Sequence, residues 1–368
     1  MEQHIEILKV ISAFLLSFFI VLVSVPPIIR VAKAKNLFDA TDERKIHTQV
    51  VPALGGVAIF LGFILSSIFT TGETSFAFLK YIIASVILVF FIGLKDDLVN
   101  ISARKKFIIQ LIAAFLLILL GDLQLTSLHG ILGIYGINPI ASFSLTLFVL
   151  LAIMNAFNLI DGIDGLASGL ALTAAVFFGA WFYLAGHLSL AIIAFALAGS
   201  LVGFFLFNVF GKKNKLFMGD TGSLIVGLVV GVLVVQFNEL NLLNSAYAIE
   251  AAPAVSFAVL AVPLLDTLRV FTLRLMQGRS PFSPDRNHTH HRLLAMVPGH
   301  LNVTLILLAA NASVVAAAFL FNAISFNTSI QFLLVFCIGV LVCLIPSTVL
   351  RFRSTNKKER WAKDYLSK

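Results

Sequence analysis

Long apolar stretches alternate with short polar ones along the whole chain. The apolar runs fall at about residues 5–30, 52–71, 76–94, 106–121, 141–158, 165–185, 188–209, 221–237, 252–275, 301–321 and 329–350. Each approaches the ~20 residues that a helix needs to cross a hydrocarbon core, and each is bounded by Gly, Pro, Asn or charge. The ten-residue alternating segments of a membrane barrel are absent, and within lipid a helix is the other structure that satisfies its own backbone. The pattern therefore predicts an all-α integral membrane protein, a polytopic bundle of about 11 transmembrane helices. The outer segment Leu128 to Pro139 breaks the pattern by alternating apolar residues with Gly, and it reads as a short hairpin.

Composition agrees with lipid as the solvent. Mean hydropathy is +1.01, 59% of residues are hydrophobic and only 12% are charged, too few to cover a water-soluble surface. The first run lacks a small-residue cleavage site, so it reads as a span and not as a removable signal. Cys337 and Cys343 lie six residues apart in one late run. On a helix that separation is about 9 Å, too far for a disulfide.

The distribution of Lys and Arg sets the orientation. With an odd number of spans, the loops at 30–51, 95–106, 159–164, 210–219 and 274–300 share a side with the C-terminal tail. Of the 26 basic residues 23 lie on that side, Arg269 sits just inside it, and the other side keeps only Lys9 and Lys80. The positive-inside rule makes the basic side cytoplasmic, with the N-terminus outside and the C-terminus cytoplasmic. The net charge of +8 is thus mostly a topology signal and gives no reason to invoke nucleic acid. Residues 1–350 form a single transmembrane domain, and 351–368 form a basic cytoplasmic tail near anionic headgroups.

The carboxylates gather on the same side. Asp96 and Asp97 end the third run, Asp161 and Asp164 end the fifth, and Asp220 opens the eighth. One such acid alone would be an ordinary solvated helix end. Five at the inner ends of three helices, in a chain so poor in acid, point to function, because ionisable groups at the membrane are expensive. Adjacent Asp96 and Asp97 repel one another unless a cation or a proton sits between them, as a divalent metal site or a general base requires. In the segment from Asn155 to Gly165, polar residues recur at every third position, so Asn155, Asn158, Asp161 and Asp164 form a ladder too polar to face lipid. Asp220, with Thr221 and Ser223 between glycines, reads equally as an N-cap and as a helix start that receives metal-bound phosphate. The loop Asp285-Arg286-Asn287-His288-Thr289-His290-His291-Arg292 could hold zinc, yet the absence of Cys and the presence of two Arg favour phosphate or sugar recognition.

These residues carry a resemblance. Arg44-Lys45-Ile46-His47, Val51 to Gly56, Asp96-Asp97, the Asn158 to Gly165 segment, Phe217 to Ser223 and the His288 to His291 loop occur in one order over about residues 5–350. In this the chain resembles the polyprenyl-phosphate N-acetylhexosamine-1-phosphate transferases, and among them the bacterial WecA/TagO-type branch. The related MraY branch fits less well: Thr289 interrupts its run of three His, and Asn100 stands where it carries Lys. The resemblance implies transfer of GlcNAc-1-phosphate, or a close HexNAc-1-phosphate, from the UDP-sugar to undecaprenyl phosphate with release of UMP. It implies Mg²⁺, with Mn²⁺ as a substitute, and a multi-pass enzyme of the bacterial inner membrane whose active site faces the cytoplasm. It makes Asp96 and Asp97 the catalytic pair and Asp220, Asn158 and Asp97 the metal ligands. It places Asp161, Asp164, Asn208 and Phe217 around the nucleotide, and Lys106, His47, Arg286, His288, His290 and His291 around pyrophosphate and sugar. The implied partners are the UDP-N-acetylhexosamine, the polyprenyl phosphate, the bilayer and, as an assembly, a homodimer. An ion-coupled transporter is the rival of another class. It expects acids near the bilayer midplane in repeated halves; here Asp266 lies inside the ninth run, but the other acids cluster at the cytoplasmic helix ends and no repeat appears.

The basic-residue asymmetry yields a direct test. A reporter fused after Lys368 is expected to be active only on the cytoplasmic side. Activity restricted to the outer side would overturn both the orientation and the placement of the carboxylates.

Overall fold

A computed structural model describes residues 2–37, 51–72, 76–243, 246–278 and 288–366. The chain runs as α1 (Glu2–Ala34), α2 (Gly55–Thr70), α3 (Phe76–Val99), α4 (Ala103–Phe115, continued by a π-helical turn Leu116–Leu120), β1 (Ser127–Ile131), β2 (Ile134–Gly136), α5 (Pro139–Ile160), α6 (Leu166–Leu184), α7 (Leu188–Val209), α8 (Gly219–Leu240), α9 (Ala252–Val259), α10 (Ala261–Met276), α11 (Thr289–Leu294), α12 (His300–Ala323) and α13 (Thr328–Leu366). Every predicted apolar run is helical. Among the described residues eight helices are long and apolar enough to cross a membrane, and α9 with α10 forms a further pair bent by 77°. One run is shorter than expected and one is longer. The run that begins at Pro52 gives only the 16 residues of α2, because its first residues stay outside the helix and pair with the loop before α8. The run beginning at Lys106 gives the 13 residues of α4 and the five of the π turn.

α8 is apolar on all sides, and such a helix belongs in the middle of a bundle. Its most hydrophobic window is 83% buried, against 22% for the outermost helices α1 and α13. Helices α2, α3 and α5 pack directly against α8, with α1, α6 and α7 grouped beside them. Large apolar side chains such as Phe19, Val23, Phe69 and Phe91 point away from the bundle, as lipid-facing positions should. The Gly-alternating outer segment is the two-stranded antiparallel hairpin β1–β2. Thr126, just before it, donates to Glu239 at the C-terminal end of α8 through its amide at 3.0 Å and its hydroxyl at 2.6 Å. At the other end of the chain α13 continues without a break past residue 350 to Leu366, so the basic tail extends the last helix.

The packing against the start of α8 has no room to spare. A Cβ on Gly93 of α3 would stand 2.5 Å from the Thr221 Cα and 2.7 Å from its amide nitrogen. Small residues let helix backbones approach this closely in membranes. Gly93→Val is therefore expected to lower stability in detergent by about 1–3 kcal/mol, the usual cost of overpacking. Gly136→Ala, where a Cβ meets nothing within 4 Å, serves as the control. Equal thermal unfolding midpoints for the two variants would refute this contact.

Candidate active site

The first backbone amides of α8 have no partner within the helix, and Asp97 of α3 supplies one. Its Oδ1 accepts from the Asp220 amide at 2.7 Å, and its Oδ2 accepts from the Thr221 amide at 3.0 Å and the Thr221 hydroxyl at 2.5 Å. Gly219 precedes this cap with a φ of +70°, and a side chain there would run into the Asp97 carboxylate. Asp97, expected as a reactive group and metal ligand, thus has both oxygens engaged by the helix it caps.

With the start of α8 fixed, Asp220 faces Asp96, Lys106 and Asn158. Lys106, from the first turn of α4, lies between the two acids: its ammonium pairs with Asp96 at 2.7 Å and with Asp220. Asn158 of α5 donates to Asp220 at 2.8 Å and to the Ser223 hydroxyl at 2.9 Å. The other Asp96 oxygen accepts the Ile101 amide at 2.5 Å, which fixes the turn between α3 and α4. Four helices, α3, α4, α5 and α8, therefore meet at two carboxylates with one cation between them. The donor set fits a hard divalent ion: Mg²⁺ typically takes one or two carboxylates and completes its shell with water and phosphate oxygens. Among the described residues no three His, Cys, Asp or Glu side chains converge as an all-protein metal site.

The polar ladder of α5 fans out to different partners. Asn155 donates to Gln110 of α4 at 3.0 Å, Asn158 reaches Asp220, and Asp164 accepts from Lys215 at 2.7 Å and pairs with the His300 ring at 2.9 Å. The second Asp164 oxygen is buried without a hydrogen bond. Asp161, just past the end of α5, has its pKa pushed up to about 8, first by burial and then by the charges of Asp220, Asp97 and Asp164. Some of its side-chain surface remains open to the cleft, so its carboxyl is a neutral acid that can still meet a ligand. Asn208 turns inward: its amide oxygen accepts from the Gly165 amide at 2.7 Å and its nitrogen donates to the Leu216 carbonyl at 3.0 Å. It braces the loops and does not face the cleft as expected. Phe217 is exposed, with the Lys215 ammonium 5.8 Å from its ring centre. Its backbone pairs with Pro52 and Gly55 at 2.9 and 2.8 Å, which ties the first inner loop to the loop before α8.

The histidines divide between two roles. His288 is buried, with Nδ1 at 2.9 Å from an Asp266 oxygen, and Thr289 gives the other Asp266 oxygen its amide at 2.8 Å and its hydroxyl at 2.6 Å. His288, expected beside the substrate, instead anchors the loop to α10. His290 is also buried, but neither ring nitrogen has a hydrogen bond, and burial above all pushes its pKa down to about 3. A neutral imidazole is thus delivered to the ladder, so close to Gly162 that any Cβ there would overlap its Nε2. His291 packs on His290 with ring centres 4.3 Å apart. His47 and Arg286 lie outside the described residues. The structure adds Lys215, His300 and Asp266 to the set. Asp266 was visible as an acid inside an apolar run, whereas Lys215 and His300 gave no sequence signal beyond charge.

A cavity of about 650 Å³ begins beside this centre. Phe107, which follows Lys106, lines one end; Leu128 and Ile131 of the outer hairpin line the other; Phe148, Phe257 and Phe271 lie along its walls. Its lining is almost wholly apolar, and it runs from the charged cluster towards the opposite end of the bundle.

A model of glycosyl transferase family 4 matches residues 79–238, the stretch from α3 to α8 that contributes Asp96, Asp97, Lys106, Asn158, Asp161, Asp164 and Asp220. An undecaprenyl-phosphate alpha-N-acetylglucosaminyl 1-phosphate transferase of Escherichia coli K12 is 34% identical over 272 residues, covering 72% of this chain and 71% of its own length. A counterpart in Yersinia pestis is 32% identical over 269 residues, with the same coverage. A probable undecaprenyl-phosphate N-acetylglucosaminyl 1-phosphate transferase of Bacillus subtilis is 28% identical over 338 residues, covering 92% of this chain and 90% of the relative. The similarity thus spans the helices that build the charged cluster, and the chain belongs to glycosyl transferase family 4, among the undecaprenyl-phosphate N-acetylglucosaminyl 1-phosphate transferases.

Proposed function

We propose that this protein transfers GlcNAc-1-phosphate from UDP-GlcNAc to undecaprenyl phosphate at the cytoplasmic face of the bacterial inner membrane, with all eleven apolar segments embedded in the bilayer. The observation that carries the reading is the adjacency of Lys106 and Phe107. One belongs to the charged cluster and the next lines the apolar cavity. A lipid phosphate has this division of character, with its prenyl chain in the cavity and its anionic head at Lys106. Named relatives with the same reaction support the identity of donor and acceptor.

In the transfer an oxygen of the lipid phosphate attacks the sugar-bearing phosphorus of the donor. The bond from that phosphorus to the bridging oxygen breaks, and UMP leaves. Phosphoryl transfer depends on alignment and charge neutralisation, and the cluster supplies both. Lys106 neutralises the attacking phosphate. Asp220, Asp96 and Asn158 would hold a divalent cation of the Mg²⁺ or Mn²⁺ kind, and Asp97 acts through the cap that keeps Asp220 in place. Such a cation supplies charge neutralisation on the diphosphate and the departing nucleotide. Asp161, neutral near pH 7, donates a hydrogen bond to the donor diphosphate where an ionised carboxylate would repel it. The unpaired Asp164 oxygen, with Phe217 and Lys215 nearby, takes the nucleoside. His290, with its two free ring nitrogens, orients sugar and phosphate.

Asp220→Asn is expected to retain the fold and to lower UMP release about 10²–10³-fold, as for loss of one preorganised electrostatic group. A variant of near wild-type rate would remove Asp220 from the reaction. A second test concerns the donor. Thr289 within the His loop and Asn100 after the Asp pair favour UDP-GlcNAc over a UDP-muramyl-pentapeptide donor, since a lost Lys removes a point charge from the phosphate path. With both donors present and one lipid acceptor, the product is expected to be GlcNAc-pyrophosphoryl-undecaprenol. Preferential transfer from the pentapeptide donor would assign the chain to the other branch.

A further inference from the structure

The bend between α9 and α10 has a specific cause and a specific support. A continuous helix would pair the Val259 carbonyl with the amide of residue 263, but that residue is Pro263 and has no N–H. The helix breaks at Leu260 and turns by 77°. The break leaves the Val259 carbonyl and the Val262 amide without helical partners deep in the bundle, where no water can serve them. One side chain meets both. Asn311 of α12 donates its amide nitrogen to the Val259 carbonyl at 2.9 Å and accepts the Val262 amide on its oxygen at 3.1 Å. Asn311 is 1% exposed. It lies eleven residues into α12, about 16 Å from the cytoplasmic end and so near the middle of a bilayer core.

The broken pair forms a wall of the apolar cavity. Pro253, Ser256 and Phe257 line it from α9, and Leu264, Leu268 and Phe271 line it from α10. The angle between the two helices therefore sets the course of the cavity beyond its cytoplasmic half. We infer that Asn311 is a positioning residue for the lipid acceptor: by holding the bend it shapes the part of the cavity that accepts the distal units of a long prenyl chain. This inference rests on the proposed transfer to a prenyl phosphate. It extends that reading to a residue that touches neither donor nor phosphate. A short prenyl chain occupies only the stretch near Phe107 and Phe271 and does not depend on the bend. Donor handling stays apart from it, because beyond the break α10 is tied to the His loop by Asp266 and to α13 by Arg269 on Ser347 at 3.3 Å, so that loss of the bend moves α9.

The test compares full-length wild type, Asn311→Leu and Pro263→Ala in detergent, with undecaprenyl phosphate and with a phosphate bearing two or three prenyl units as acceptors. Asn311→Leu removes both hydrogen bonds. Pro263→Ala gives the Val259 carbonyl a helical partner and lets the bend open, so it tests the same wall if the leucine variant does not fold. For each variant KM for undecaprenyl phosphate is expected to rise about tenfold, with KM for the short acceptor and for UDP-GlcNAc unchanged. Equal losses on both acceptors, a rise in donor KM, or no change in either folded variant would overturn the role of Asn311. Failure of the wild type to use any prenyl phosphate would instead sink the proposed reaction, so the two failures are distinguishable.

Discussion

The carboxylate of Asp97 on the first amides of α8 is the interaction on which the half of this protein that carries the charged cluster depends. A helix start inside a bundle leaves N–H groups that neither lipid nor neighbouring apolar side chains can satisfy, and an acid is the strongest available partner. Because α8 is the most buried helix, fixing its start also fixes what surrounds it. Asp220 becomes the next acid in line, and Lys106 and Asn158 converge on it from α4 and α5. The loop before α8 is held against the first inner loop by backbone pairing at Phe217 and Met218.

The same constraint recurs wherever the helices end or break. Asn138 accepts the Ala141 amide at the start of α5, Asn208 accepts the Gly165 amide before α6, Asp266 accepts the Thr289 amide at the start of α11, and Asn311 bridges the α9–α10 break. Most of the scarce polar side chains in this membrane protein are thus committed to backbone groups. The ones that remain, chiefly the Asp220 and Asp96 oxygens facing Lys106, the unpaired Asp164 oxygen, Asp161 and the His290 ring, mark the cleft. Chemistry and fold compete for one small stock of donors and acceptors. The site is readable as the part of that stock which the fold does not use.

This division also decides between the functional classes. A transporter would place its free acids near the bilayer midplane. Here the deep polar residue Asn311 is spent on backbone, and the acids with room for a ligand lie at one end of the bundle, beside an apolar cavity. An anionic headgroup on a long apolar chain matches that layout, and a hydrated ion in transit does not.

Hydropathy and composition determined the helical membrane fold, because a backbone in lipid has so few ways to satisfy itself that apolar run length nearly dictates structure. The basic loops pointed to one side, the acids at helix ends to one cluster, and the Gly-alternating outer segment to a hairpin, each from local sequence. What each polar residue touches was decided by the tertiary structure. Asp96 and Asp97 are neighbours in sequence, yet one pairs with Lys106 and the other caps α8. His288 and His290 are two apart, yet one is bound to Asp266 and the other is buried with both ring nitrogens unpaired. Adjacent side chains on a helix or turn point in different directions, and their partners come from different helices: Lys106 of α4 for Asp96, Thr221 of α8 for Asp97 and Asp266 of α10 for His288. Run length records how a segment meets its solvent; a hydrogen bond or ion pair is fixed only when two segments meet.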